Sequence, residues 1–315
     1  MSAPHGPISF IAILGPTASG KSALALDLAR RIEAEIICCD SQQVYVGMDV
    51  GTAKPTAQER REIPHHLLDV ARPDEAFHAA RWAALARLAL RDVAARGRLP
   101  VVVGGTGLYY RALTVGFFEA PPPDPDIRAR HRAEAAAGGV EALHDRLAAV
   151  DAAAARAINR RDLVRISRAL EVWEQTGTPI TALRRAAAAP GDDLAPRAVV
   201  LDPPLPELRR RIEARAREMF ASGLEEEVRA LRAAGYGAGL RPLQALGYAQ
   251  MGAVLDGAAT REEALAATIG ATVAYARRQR TWFRKEAAAA RFEAAPDAAS
   301  LVELLSDPAR AQAAS

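Results

Sequence analysis

The run "ISFIAIL" (Ile8–Leu14) leads directly into "GPTASGKS" (Gly15–Ser22) and then into "ALALDLARRIEAE". An apolar, β-branched stretch predicts a strand over Ile8–Leu14, and apolar positions at helical spacing predict a helix over roughly Lys21–Ala34. Between them Gly15, Gly20, Lys21 and Ser22 fit the spacing G-x-x-x-x-G-K-[ST]. Strand, glycine-bounded loop and helix make a phosphate cradle. The glycines let the segment Gly15, Pro16, Thr17, Ala18, Ser19, Gly20 turn its N–H groups toward an anion, and the helix adds the positive end of its dipole. Lys21 supplies a point charge and Ser22 a hydroxyl for Mg²⁺, so Ser22 is the expected metal contact. The motif demands an α/β unit and a bound diphosphate or triphosphate. It does not say whose phosphate it holds.

Further runs extend the unit. "EIICC" reads as a second strand, Ala79–Arg96 as a helix, and "LPVVVGG" as a third strand. Continuous rather than alternating apolar runs predict a parallel sheet covered on both faces. Ligands on such sheets gather at the carboxyl ends of the strands, where "GPTASGKS", "DSQQVY" and "GGTGLYY" begin. "APPPDPD" (Ala120–Asp126) breaks the pattern, the chain is then helical to about Ala195, "PGDDLAP" is a second break, and "RAVVLDPP" reads as a return strand. The expected fold is α/β, a P-loop NTPase-like parallel sheet flanked by helices (residues 1–122 and 196–315) with a helical insertion domain (residues 123–195). Later helices are expected over Glu207–Ser222, Glu225–Ala234 and Glu262–Glu286, with a loosely held Ala-rich tail after Arg291.

Composition narrows the class. The chain has 315 residues, is 50% hydrophobic and carries a formal net charge of +3, enough to bury a full core but too small a margin to nominate nucleic acid. No apolar run approaches the roughly 20 residues of a membrane span, and "MSAPHGP" lacks the basic-then-apolar pattern of a signal peptide. No membrane partner and a cytoplasmic location are expected. Cys38 and Cys39 read as small buried hydrophobes, not as a disulfide or metal site. His65 and His66 suit a structural role, since adjacent histidines point apart and no third ligand has obvious spacing. Gly47, Gly51, Lys54 and Pro55 mark a structured loop.

Asp40 ends the second strand. It either caps a turn or faces the reaction centre as a base or a metal-supporting carboxylate. "PVVVGGTG" ends in Gly104, Gly105 and Thr106 without the acid a kinase commonly uses to hold Mg²⁺, which weighs against ordinary phosphoryl transfer.

"GPTASGKS", "DSQQVYVGMDVGTAKP", "HHLLD", "GGTGLYYRAL", "RISRALEV", "GLEEEV", "QALGY" and "RQRTWFRK" occur here in the order seen in the tRNA dimethylallyltransferases, also called tRNA isopentenyltransferases. The chain closely resembles that family over roughly Ile8–Lys285. Val46 stands where the family frequently has Arg, Ser22 replaces the commoner Thr, and no Cys/His extension follows, so a bacterial-type member is expected. The resemblance implies that the cradle holds the diphosphate of dimethylallyl diphosphate, not ATP, with Mg²⁺ as cofactor. It implies an acceptor, the N6 amine of the adenosine 3′-adjacent to the anticodon in tRNAs reading codons that begin with U. By the family pattern Arg217 adds a cation at the diphosphate, Asp40 is the candidate base, and Thr106 orients the amine. Contacts with the tRNA anticodon stem-loop are implied at Asp40, Ser41, Gln42, Gln43, Thr106, Arg128, Val164, Arg165, Ile166, Ser167, Arg168, Gln244, Gly247 and Tyr248, with the insertion gripping the stem. Gln244–Tyr248 reads equally as a helix cap. On "YARRQRTWFRK", Arg277, Arg280 and Arg284 share a helical face and Trp282 and Phe283 interleave. That pattern fits a tRNA contact or a surface helix whose aromatics enter the core. A monomer is expected. A small-metabolite kinase, an adenine-nucleotide isopentenyltransferase and a non-catalytic RNA-binding protein remain as alternatives.

Overall fold

The structure is a computed structural model that describes residues 6–116, 121–186 and 193–306. It divides into two units, one of Met1–Thr114 with Asp192–Ser315, the other of Val115–Gly191.

The first unit is built on strands β1 (Ile8–Leu14), β2 (Ala34–Cys39), β3 (His65–His66), β4 (Leu99–Gly104), β5 (Leu194–Leu201) and β6 (Ala290–Phe292). They form one parallel sheet in the order β3-β2-β4-β1-β5-β6. Side chains alternate between faces with a period of two. Phe10, Ala12, Leu14, Ile37, Cys39 and Val102 pack toward α3 (Ala79–Ala95), α4 (Gly107–Thr114) and α13 (Arg261–Phe283), where Trp82, Tyr109, Leu113 and Phe283 close the core. Ile11, Ile13, Ile36, Val101, Val103 and Val199 pack toward α1 (Lys21–Arg31) and α14 (Ala298–Ser306). Both faces are covered, and that is why the strands read as unbroken apolar runs. The remaining helices of this unit are α2 (Ala57–Glu62), α10 (Leu205–Ala221), α11 (Leu224–Ala233) and α12 (Tyr248–Leu255).

Several boundaries differ from expectation. Helix α1 stops at Arg31, because Ala34 already pairs opposite Leu99 in the sheet. β5 begins at Leu194, inside the expected insertion; Pro196 is tolerated there because β6 pairs only with Val199–Leu201 and leaves that stretch an open edge. The chain beyond Arg291 is not loose as far as Ser306: β6 adds a strand, and Ala298 and Leu301 of α14 are fully buried against the α1 side. The rest of that tail lies outside the described residues. His66 Nε2 meets the buried Glu35 carboxylate at 2.6 Å, and His65 Nδ1 bonds the Ile63 carbonyl at 2.7 Å, so both imidazoles serve the sheet edge. Cys38 and Cys39 are buried, and burial pushes both thiols up.

The second unit carries α5 (Pro125–Gly138), α6 (Val140–Val150), α7 (Ala152–Ala157), α8 (Leu163–Thr176) and α9 (Ile180–Ala186) around its own core of Leu143, Leu147, Ile166, Leu170 and Ile180. It starts before the proline run taken as its boundary. The Pro121 and Pro122 carbonyls accept hydrogen bonds from Arg168 and Gln175, which tie that run to α8.

Candidate active site

Sheet register assembles the site. Leu14 pairs with Gly104, and Gly104 with Cys39, so Gly15, Gly105 and Asp40 leave the sheet side by side at its carboxyl edge. A cavity of about 330 Å³ opens there, with Thr17, Lys21, Ser22, Asp40, Arg215 and Arg278 on its wall. Within the cradle Gly15 is required, since a Cβ there would run into the Leu201 carbonyl. Ala18 (φ 61°) and Gly20 (φ 93°) take the left-handed conformation that wraps the loop. No side chain caps α1 and its first turn holds no acid, so its leading amides are left for an anion. The Ser19 hydroxyl is buried with no partner among the described residues. Lys21 Nζ donates to the Pro16 carbonyl (3.1 Å). Burial, with Arg215 acting in the same direction, lowers the ammonium to about 8, and the Asp40 charge opposes the shift.

Asp40 Oδ1 accepts from the N–H groups of Gln42 (2.8 Å) and Gln43 (3.3 Å), closing a tight turn after β2. The turn-capping reading and the cavity-facing reading therefore hold together. Thr106 is expected at the amine; its hydroxyl oxygen accepts the Ser41 N–H (3.1 Å), and Ser41, not Thr106, lines the cavity. Gln43 Nε2 donates to the Thr52 and Ala53 carbonyls (3.0 and 3.1 Å), while the Gln42 Oε1 is buried without a partner among the described residues. The loop after them is pinned as its sequence predicts. Buried Lys54 Nζ reaches the Tyr45 carbonyl and the Asp49 and Asp69 carboxylates, and Glu227 of α11 accepts from the N–H groups of Asp49, Val50 and Gly51.

Arg217 is a correction. It is exposed and paired with Glu213 (2.8 Å), because two residues along a helix turn it away from the cavity. Arg215 takes the place by the loop, with Nη1 3.4 Å from Thr17 Oγ1 and Nη2 donating to the Thr52 carbonyl at 3.2 Å. Sequence reasoning expected the helix α13 but missed its cavity face. Its Thr268, Thr272, Tyr275 and Gln279 line the cavity at three- and four-residue spacing, a polar stripe that was legible as a pattern. Gln279 Oε1 accepts the Thr17 N–H (2.9 Å), and its Nε2 donates to the Gly105 carbonyl (2.8 Å). Burial, with the nearby Asp40 charge, pushes the Tyr275 phenol up to about 12. Ile212, Met219, Phe220, Leu224 and Leu246 give the cavity an apolar wall.

The remaining expected tRNA contacts divide. Gly247 is the N-cap of α12 and its N–H donates to Gln250 Oε1 (2.8 Å), so the capping reading applies; Gln244 is exposed. Tyr248 is 1% exposed and its hydroxyl donates to Glu227 (2.6 Å), and with Gln244 and Gly247 it lines the cavity. On α8, Val164 and Arg165 are exposed, the latter 3.5 Å from Asp162. Ile166 and Ser167 are corrections as well, since Ile166 is in the core and Ser167 is buried against His131 Nδ1 (2.9 Å). Arg128 grips the buried Glu171 with two hydrogen bonds (3.0 and 3.1 Å), and Arg168 donates to the same carboxylate (2.6 Å). On α13, Phe283 is buried in the core and Arg280 is paired with Asp202, which favours the core reading of that segment.

A family model described as IPP transferase matches residues 43–286. The chain belongs to the IPP transferase family. It is 54% identical over 276 residues to a protein of Anaeromyxobacter dehalogenans named tRNA dimethylallyltransferase, covering 88% of this chain and 92% of that one. Among solved structures it is similar to the tRNA isopentenylpyrophosphate transferase of Bacillus halodurans (35% identity, TM-score 0.65, 97% of each chain). Another match is the Staphylococcus epidermidis tRNA isopentenylpyrophosphate transferase (29% identity, TM-score 0.67, 95% of this chain and 97% of that one). Family members of this kind share the P-loop NTPase-like sheet described above. No helix among the described residues is long and apolar enough to cross a membrane.

Proposed function

We infer that this chain transfers the dimethylallyl group of dimethylallyl diphosphate to N6 of the adenosine 3′-adjacent to the anticodon, in tRNAs that read codons beginning with U. The observation that carries the reading is one cavity where the phosphate loop, the Asp40 carboxylate and an apolar wall converge. The loop amides, Lys21 and Arg215 take the diphosphate, and Ile212, Met219 and Phe220 shelter the prenyl chain. The allylic C–O bond breaks, its electrons leave with the diphosphate, and the carbon becomes a delocalised cation. The adenine nitrogen forms the new C–N bond while Asp40 takes its proton. Preorganised donors at the leaving group are commonly the largest contribution to such a reaction. Thr106 serves the base by fixing Ser41.

Magnesium suits this donor set. The Ser22 hydroxyl brings a hard oxygen ligand to the cavity, where diphosphate oxygens and waters would complete the shell. That matches an ion which keeps waters and shares phosphate oxygens. Bound there, Mg²⁺ would neutralise charge on the departing diphosphate. The acceptor base must leave its loop stack to reach the cavity, and exposed Arg165 is a candidate phosphate contact on the second unit. The protein acts as a soluble monomer in the cytoplasm on this reading.

Incubation with radiolabelled dimethylallyl diphosphate, with and without bulk tRNA, tests it by nucleoside analysis. The expected product is labelled N6-dimethylallyladenosine, formed only with tRNA. Label on free AMP would favour the adenine-nucleotide enzyme, and ATP-dependent phosphorylation of a metabolite with unused prenyl donor would favour the kinase.

A further inference from the structure

We propose that Gln279 is a positioning residue that locks the phosphate loop to the turn after β4, and so sets the distance between leaving diphosphate and attacking amine. This rests on the reading above. Gln279 belongs to α13, which is remote in sequence from both segments it joins. The residue is 6% exposed and its carboxamide has both ends engaged: Oε1 with the Thr17 N–H, Nε2 with the Gly105 carbonyl. Gly105 is where the fit is made, since a Cβ at that position would collide with Gln279 Nε2. One residue later Thr106 holds Ser41, and Ser41 follows Asp40. The amide therefore spans from the diphosphate side to the base side of the cavity through two fixed hydrogen bonds. It also uses the Thr17 N–H, so that donor is not free for phosphate. Only a side chain with an acceptor and a donor at this reach closes the bridge. Methionine matches the volume and offers neither, and an ionised glutamate keeps the acceptor but sets an oxygen against the Gly105 carbonyl.

The test compares wild type, Gln279→Met and Gln279→Glu in tRNA prenylation, with kcat and KM for each substrate and Tm measured together. Misplacement by about 1 Å costs on the order of 10²-fold in rate, so Gln279→Met should lose roughly that much in kcat while both KM values stay within about threefold. Gln279→Glu should recover toward wild type as pH falls, because a protonated carboxyl restores the donor to the Gly105 carbonyl. Lys21, Asp40, Arg215, Tyr275 and Arg278 line the cavity and are common to all three proteins, so pH effects shared with wild type divide out of the ratio of variant to wild-type kcat. A Gln279→Met enzyme with near-normal kcat would overturn the proposal. So would a flat Gln279→Glu ratio, or loss of folding in both variants, which would make Gln279 a core residue only. A wild-type protein inactive on tRNA would instead overturn the functional reading.

Discussion

At Lys21 burial and the Arg215 guanidinium lower the ammonium to about 8, against the pull of Asp40. A diphosphate in the loop stabilises the charged form and raises that value again. Binding therefore takes up a proton above about pH 8, and affinity for dimethylallyl diphosphate should fall as pH rises from 7 to 9. Calorimetric titration without tRNA would show the drop, and Lys21→Met should flatten it. Lys21→Ala should abolish transfer yet leave tRNA affinity within a few-fold, measured by filter binding; equal loss of both would contradict separate contacts for the two substrates. Arg215 and Arg217 show why single positions were hard to assign. Both are arginines on one helix in an Arg-rich chain, and only the orientation of α10 against the loop distinguishes them.

On α8 the same sorting operates along one element. Arg168 and Arg128 spend their donors on Glu171, which is fully buried, while Arg165 is 64% exposed at its side chain. Arg165→Ala should flatten the salt dependence of tRNA binding by a slope of about one, with unchanged Tm. Glu171→Ala should instead destabilise by about 2–3 kcal/mol, because it strands two partly exposed guanidinium groups and the Asp124 N–H. Thermal melts separate the two effects. In the first unit, Leu301→Ala should cost about 2–4 kcal/mol, since α14 closes a core face and is not a loose end. Strands β1, β2, β4 and β5 and the cradle were legible because local pattern dictates them; β3 and β6, two and three residues long, carry no such pattern. Ile166 and Ser167 were not legible, because a motif fixes which residues matter but not whether each faces solvent or core. The polar stripe Thr268, Thr272, Tyr275, Gln279 was visible in sequence, but its target, a loop about 260 residues earlier in the chain, is known only from tertiary packing.

For the whole molecule, a net charge of +3 offers little long-range attraction to tRNA, so recognition must rest on a few placed contacts and on extraction of the acceptor base. In the first unit the phosphate loop, the Asp40 turn, Arg215, the α13 stripe and the apolar wall all line one cavity. The second unit has a hydrophobic core of its own. The Pro121 and Pro122 carbonyls accept hydrogen bonds from Arg168 and Gln175, so the stretch that breaks the sequence pattern is held to α8. The division predicts that chemistry and tRNA affinity respond to different sets of substitutions. The most direct measurement is the single-turnover rate of Asp40→Asn with saturating tRNA and dimethylallyl diphosphate. Removing a proton acceptor should slow that rate by about 10²–10⁴-fold with tRNA affinity nearly unchanged; a rate close to wild type would contradict the account.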